Sequence, residues 1–480
     1  MAFQKKTYDK KYLQRAIVCL AAIACIFRLF IFLQGRGFFF DEANLLRNIY
    51  DLSFLQLLGT LDHDQYAPLL YLWDLKLWSF LGINEYTMRI TSLLAGVMSV
   101  YLLYEWGKKN LHAWGLFYLI GMLGFSYLMI RYSTEVKQYG VDVFITCLLM
   151  YALHVSEESG AWKSLYFLVA ISVLFSMPSV FIIFGMGLYL MANRNSRRPG
   201  MIISIVSLLV FGFYYLTVLK EAASSTQLQV YHERYFLSLD VLANGRIGLG
   251  FFSNVFGKTA VPLILALVLS VWGLYRMFKI EKRQVLLFLA PFIGLCLASF
   301  LKQYSFIPRM TLFIFPLFWY LVAYGLEDLT NRLNGSPQHL LFHVSAFGFI
   351  ILSIWTLSPF KSKHWPMQYE ELGLVLSKAP FQDQDVLLMT TGAVPGFDVY
   401  NRIHSQAHTY QLQEFVKSTN QLNSTIDSLL QVHSSIFVLD AHTFGKEADL
   451  IENTIENSKH SVLWQSHATK AKLWKLGSFR

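Results

Sequence analysis

Charge is what this chain has least of. Only 15% of its 480 residues are Asp, Glu, Lys or Arg, where a soluble domain carries about 25%. Hydrophobic residues make up 55% and aromatics 16%, so there are too few polar groups to cover a water-facing surface, and a soluble globular class is excluded. Cysteine is scarce too: Cys19, Cys25, Cys147 and Cys296 all fall in apolar runs, which leaves no disulfide framework outside a membrane. The sequence has no Gly-rich nucleotide fingerprint, no metal-ligand spacing and no internal repeat of the transporter kind. The basic opening KKTYDKKYLQR runs into an apolar stretch without a small-residue cleavage site, which reads as an anchor and not a removable leader. The formal charge of +9 is explained by basic cytoplasmic loops, so no nucleic-acid partner is expected.

What is present is a series of apolar windows near the length that crosses a hydrocarbon core. They run about 16–33, 87–106, 113–130, 137–155, 162–177, 179–192, 201–219, 259–278, 285–301, 310–326 and 340–359. The expected fold is a polytopic α-helical membrane protein of about 11 transmembrane helices. With the N-terminus cytoplasmic, NRNSRRPG and RMFKIEKR fall inside, as the positive-inside rule requires. The outer segments are then 34–86, RYSTEVK, 220–258, KQYSFIPR and everything after about Lys361. The break at Ser176-Met177-Pro178 decides this parity. The outer loop 34–86 holds two amphipathic helical patterns, suited to lying in the membrane interface. From 360 to 480, EELGLVLSKA, QLNSTIDSLLQ and EADLIENTIEN read as helices and DVLLMT, SSIFVLD, SVLWQ and AKLWKL as strands. That alternation predicts a small extracytoplasmic α/β domain behind a membrane domain of 1–359.

Acids and cations gather at the outer boundary. Asp41 and Glu42 follow three phenylalanines; a carboxylate shielded there tends to a raised pKa and can take a hydroxyl proton. A purely structural reading makes Asp41 a helix N-cap with Glu42 facing the helix dipole. LDHDQY brings together Asp62, His63, Asp64 and Tyr66, for a substrate or simply for solvent. In RYSTEVKQYGVD, Tyr132, Glu135, Tyr139 and Asp142 recur at helical spacing, with Arg131 and Lys137 beside them to meet an anion. Ionisable groups at such a depth usually face a polar cavity. Arg309 follows Pro308 at another outer turn, where a guanidinium suits a phosphate. Arg28 and Arg89 read as snorkelling side chains. Glu42, His63 and Asp64 are a possible divalent-cation set; no cofactor is required by the residues.

FFFDEA, YAPLLYLWDLKLWSFLGINEYTMRITSLLAGVMSVYLLYEWGKK, RYSTEVKQYGVDVF and IPRMTLFIFPLFWYLVAYGLEDL resemble, in that order, the motif series of the GT-C membrane glycosyltransferases. That group includes the protein O-mannosyltransferases and the lipid A aminoarabinose transferase. The likeness covers about 15–155 well and 300–328 moderately. It implies a polyprenyl-phosphate sugar as donor, a lipid, glycan or protein as acceptor, transfer on the outer face of the plasma (inner) membrane, and inversion at the sugar carbon. It further implies that Asp41 is the base or acceptor-orienting acid, with Glu42 its partner. Lys137, Arg309 and Arg131 would serve the donor phosphate, and Glu135, Tyr132, Tyr139, His63 and Tyr66 the substrate.

The chain departs from the pattern in three places. Lys137 stands where the family has Arg, Met310 where Tyr is common, and Ala67 before Pro68 where relatives carry Pro or, in the aminoarabinose enzyme, Lys. The last argues against that particular activity. Two rivals use the same residues differently. A lipid-linked-solute transporter predicts broken helices at the membrane midplane, and a polysaccharide polymerase or ligase would use the outer segment with Tyr231, His232, Glu233 and Arg234.

Overall fold

The structure, a computed structural model, describes residues 7–219, 226–333, 339–358, 369–382, 385–403, 411–416, 419–443 and 446–478. Among these, every apolar window of the sequence is helical. Six helices are long and apolar enough to cross a membrane: Tyr12–Leu33, Thr87–Asn110, Tyr139–Ser159, Arg197–Val218, Ala260–Ile280 and Leu312–Arg332. Ala113–Phe125, Trp162–Phe175, Ser179–Met191, Gln284–Phe300 and His343–Leu357 are shorter apolar helices. Ser176, Met177 and Pro178 separate two of these, because Pro178 supplies no N–H for the preceding turn.

The chain divides into two compact units. One comprises Met1–Leu33, Phe54–Leu75 and Arg89–Pro366; the other comprises Gln34–Ser53, Lys76–Met88 and Met367–Arg480.

The first unit is helical. Small residues bring its helices together. A Cβ on Gly273 would lie 2.2 Å from the Leu321 carbonyl oxygen, and one on Gly325 2.2 Å from that of Leu269. Ala260–Ile280 and Phe315–Leu333 therefore touch backbone to backbone, the packing available to helices that gain little from hydrophobic burial in lipid. Phe251, Phe292, Phe306, Phe315 and Phe318 interlock edge to face beside them. Leu208, Phe213, Val271 and Leu297 remain exposed, a surface that suits acyl chains. Arg28 and Arg89 do not snorkel, contrary to the sequence expectation: both are fully buried. Arg28 donates to the carbonyls of Ala24, Leu123 and Gly124 at 3.0, 2.7 and 2.8 Å. A break after Phe125 frees the Leu123 and Gly124 carbonyls from the helix ladder, and the guanidinium satisfies them from within.

The second unit is built on a five-stranded sheet. Its strands are β1 (Val386–Thr390), β2 (Gln411–Val416), β3 (Ser435–Ala441), β4 (Ser461–Ala468) and β5 (Ala471–Gly477), in the order β2-β1-β3-β5-β4. β1 runs parallel to β2 and β3, and β5 antiparallel to β3 and β4. The helices Val394–Ile403 and Thr419–Val432 make the crossovers that parallel pairs demand. Leu388, Val438, Leu422, Ile426, Ile455 and Trp474 form the core. The helix Phe40–Asp51 belongs to this unit and packs on Val394–Ile403. Its apolar residues Leu45, Leu46 and Ile49 are buried there, so this face is covered by protein and is not the interfacial face the sequence suggested.

Candidate functional site

In the helical unit the RYSTEVKQY stretch is a turn, Ser133–Gln138, between the helices Tyr127–Tyr132 and Tyr139–Ser159. The continuous helical stripe expected from the spacing is therefore broken. Ser133 and Thr134 hydroxyls donate back to the Ile130 carbonyl at 2.8 and 3.2 Å, a bond that competes with helix continuation. The turn still brings the stripe's aromatics together, with Tyr132 and Tyr139 edge to face at 5.0 Å.

Within it Arg131 Nε donates to Glu135 Oε1 at 2.8 Å, and the two side chains are only 14% and 3% exposed. The Arg131 guanidinium also lies 5.1 Å from the Tyr132 ring centre. Lys137 Nζ donates to Gln65 Oε1 at 2.8 Å, and Gln138 Nε2 to the Tyr66 carbonyl at 3.3 Å. His63 and Asp64 form an exposed left-handed turn, φ 61° and 52°, ahead of them. Of that cluster Tyr66 alone turns into the cavity described next.

A cavity of about 400 Å³ opens beside this turn, the size range of small-molecule sites. Met177, Val180, Phe181, Phe211 and Phe236 give it an apolar wall; its polar groups are Tyr66, Tyr215, Gln229, His232, Lys302, Gln303, Tyr304 and Ser305. Arg309 stands close by, donating to Tyr231 Oη at 3.1 Å and near enough to influence both Tyr132 and His232. His232 Nδ1 meets Ser305 Oγ at 2.7 Å. Burial, and then Arg309, push the His232 pKa below its ordinary value, which favours the neutral ring. Asp142 is 3% exposed, near Tyr66 and Tyr304, and its Oδ1 finds no hydrogen-bond partner among the described residues. Such an atom is costly to bury and is ready to accept from a ligand hydroxyl. The sequence had marked KQYSFIPR for Arg309 alone; Lys302, Gln303, Tyr304 and Ser305 from the same turn went unrecognised because nothing local shows which side chains line a space.

Asp41 and Glu42 lie in the other unit. Both occupy the first turn of Phe40–Asp51, after the N-cap residue Phe39. Glu42, not Asp41, performs the capping: its Oε2 accepts from the Phe39 N–H at 3.0 Å. Asp41 stands beside it in the same turn, at the positive end of the helix dipole.

Around this turn stand residues that sequence reasoning missed. Tyr400 Oη accepts from the Phe38 N–H at 2.8 Å and donates to Glu85 Oε1 at 2.7 Å. His442 lies face to face with Phe40 at 4.3 Å and pairs through Nδ1 with Glu370. Glu370 is buried, and burial raises its pKa; His442 opposes that rise, and the negative charge of Glu42 adds to it. Among the described residues no group of three or more His, Cys, Asp or Glu side chains is arranged to hold a metal.

A family model described as dolichyl-phosphate-mannose-protein mannosyltransferase matches residues 66–218. Two solved structures cover nearly the whole chain. ArnT from Cupriavidus metallidurans in the apo state superposes with a TM-score of 0.56 at 10% identity, covering 96% of this chain and 98% of that one. The same protein bound to undecaprenyl phosphate gives 0.52 at 11%, covering 96% and 97%. The fold is that of the GT-C membrane glycosyltransferases. No curated protein sequence matches the chain, so what is shared with ArnT is the fold.

Proposed function

We propose that this chain is a membrane glycosyltransferase that moves a sugar from a polyprenyl-phosphate donor to a lipid, glycan or protein acceptor on the outer face of the plasma membrane, with inversion. The observation that carries the reading is the cavity: an apolar wall that suits the first isoprene units of a prenyl chain, with Arg309, Lys302 and His232 gathered at one place. One solved structure of the same fold is described with undecaprenyl phosphate bound, and the matched family is described by a dolichyl-phosphate-linked mannose. Both support a lipid-phosphate donor. The N-terminus would be cytoplasmic and residues 360–480 extracytoplasmic, as the basic loops require.

In this reaction Asp41 takes the proton of the acceptor hydroxyl. The acceptor oxygen bonds to the anomeric carbon, and the bond from that carbon to the phosphate oxygen breaks. The electron pair departs on the polyprenyl phosphate, where Arg309 and Lys137 stabilise the charge. Arg131 reaches the phosphate less directly, since Glu135 already engages it; its part is to hold the turn that presents Lys137. Tyr66, Tyr132 and Tyr139 bound the sugar, and Asp142 accepts one of its hydroxyls. His63, exposed on its turn, serves the acceptor side.

The test is transfer from radiolabelled undecaprenyl-phosphate mannose and glucose in membranes carrying the protein. Wild-type transfer that disappears in Asp41→Asn and falls in Arg309→Ala is the expected result. Full activity in Asp41→Asn would remove the proposed base.

A further inference from the structure

The segment that carries Asp41 has little of its own to hold it. Phe39, the N-cap residue, offers no side-chain acceptor to the helix, and the phenylalanines beside it have no polar groups. Its support comes from far along the chain. Gly37 lies so close to Glu370 that a Cβ there would sit 1.9 Å from the Glu370 carbonyl oxygen. His442 stacks on Phe40, 4.3 Å between centres and 14° between planes, and meets Phe39 at 5.1 Å and 68°. Its Nδ1 is joined to the Glu370 carboxyl group. Lys470 Nζ stands 5.3 Å from the Phe39 ring centre. His442, Lys470 and Glu42 all lie near enough to Glu370 for their charges to act on it.

Two further observations single this contact out. His442 and Lys470 both have left-handed backbones, φ 59° and 54°, and the His442 N–H points to the Lys470 carbonyl at 3.4 Å. L-residues adopt that conformation at a cost and keep it where the surroundings over-determine it, commonly at functional sites. Glu370, moreover, is 2% exposed and near enough to Glu42 for that charge to act on it.

We propose that the Glu370–His442 pair is a positioning device for Asp41. The imidazole fixes the rings of Phe39 and Phe40, and Glu370 fixes the imidazole, so the sheet-bearing unit orients the first turn of the helix that presents the carboxylate. This inference rests on the reading of Asp41 as the base.

The test uses full-length protein, in membranes with undecaprenyl-phosphate mannose and glucose for kinetics, and purified in detergent for hydrogen exchange. His442→Ala is expected to lower kcat roughly 10- to 100-fold, the cost of a misplaced catalytic group. Donor KM should stay within about twofold, and amide exchange should rise across Phe38–Ala43. His442→Gln, which keeps a donor for Glu370, should recover part of the rate. Glu370→Gln, which changes little in volume, should repeat the loss and guards against a misfolded alanine variant. Combined with Asp41→Asn, His442→Ala should add little.

Unchanged exchange across Phe38–Ala43, or a raised KM with kcat intact, would overturn the positioning role. So would full additivity with Asp41→Asn. An inactive Asp41→Asn beside a wild-type His442→Ala defeats this inference alone. An active Asp41→Asn, or a wild type that transfers from neither donor, defeats the underlying reading and the inference with it.

Discussion

Glu135 and the Asp41–Glu42 pair are both acids set among aromatic rings, yet they are held in opposite ways. Glu135 is held by its own turn: its cation, Arg131, is four residues away, and Tyr132 lies between them in sequence. The helix bearing Asp41 is held by residues such as Tyr400, 362 positions from the Phe38 amide it accepts from, and His442. The first arrangement is a local motif set in a membrane bundle. The second exists only once a β-sheet has folded elsewhere in the chain. A carboxylate required to stay charged profits from a neighbouring cation, as Glu135 does. The first turn of Phe40–Asp51 is supported instead by aromatic packing, with His442 stacked on Phe40.

The largest effect should come from the acid proposed to react. Asp41→Asn is expected to cut transfer about 100- to 10,000-fold, the usual worth of a general base, with thermal stability unchanged; a loss of stability instead would make Asp41 a structural residue. Glu135→Gln should do the reverse in kind, leaving Arg131 buried without its partner at a cost of about 3 kcal/mol. It would be read as a lower unfolding temperature in detergent, and an unaltered melting curve would show that the pair contributes nothing.

The sheet-bearing unit was only half readable. Four of its strands and three of its helices follow from local pattern. β2 and the helix Val394–Ile403 escaped notice, the latter because VPGFDVYNRI opens with Pro and Gly, which read as a turn. Pro395 instead occupies the first turn of the helix, where its missing N–H costs nothing. In the helical unit the apolar runs were plain, while the burial of Arg28 depended on the Leu123 and Gly124 carbonyls, which a neighbouring helix supplies.

A smaller effect is expected of Arg309→Ala: binding of undecaprenyl phosphate weakened about tenfold, the loss of one charged hydrogen bond, measured by titration in nanodiscs. Unchanged binding would shift the phosphate to Lys137 or Lys302. Gly37→Ala should sharpen the contrast from the other side. A methyl group set against the Glu370 carbonyl forces the backbone apart at about 1–3 kcal/mol. Its unfolding temperature should fall and transfer with it, whereas an unperturbed variant would mean that this contact is not needed. The smallest effect is in pH. Since His232 is held below its ordinary value by burial and then by Arg309, the unfolded chain takes up that proton first on acidification. The stability linked to this group is therefore present above the ordinary imidazole range and declines as the pH falls through it. Melting temperatures from pH 8 to pH 5.5 should show a slope that His232→Gln reduces; an identical slope would assign it to other groups.

The sequence alone determined that this is a membrane protein, where most of its helices run, four of the five strands, and which short motifs carry acids and cations. Each of those depends on composition or on periodicity over a few residues, and both are local. The tertiary structure decided which Tyr and Lys side chains face a cavity, that Arg28 is buried, and that the Asp41–Glu42 helix is completed by Glu370, Tyr400 and His442. These facts concern contacts between residues far apart in sequence, and no local pattern encodes a contact whose other half has yet to fold beside it.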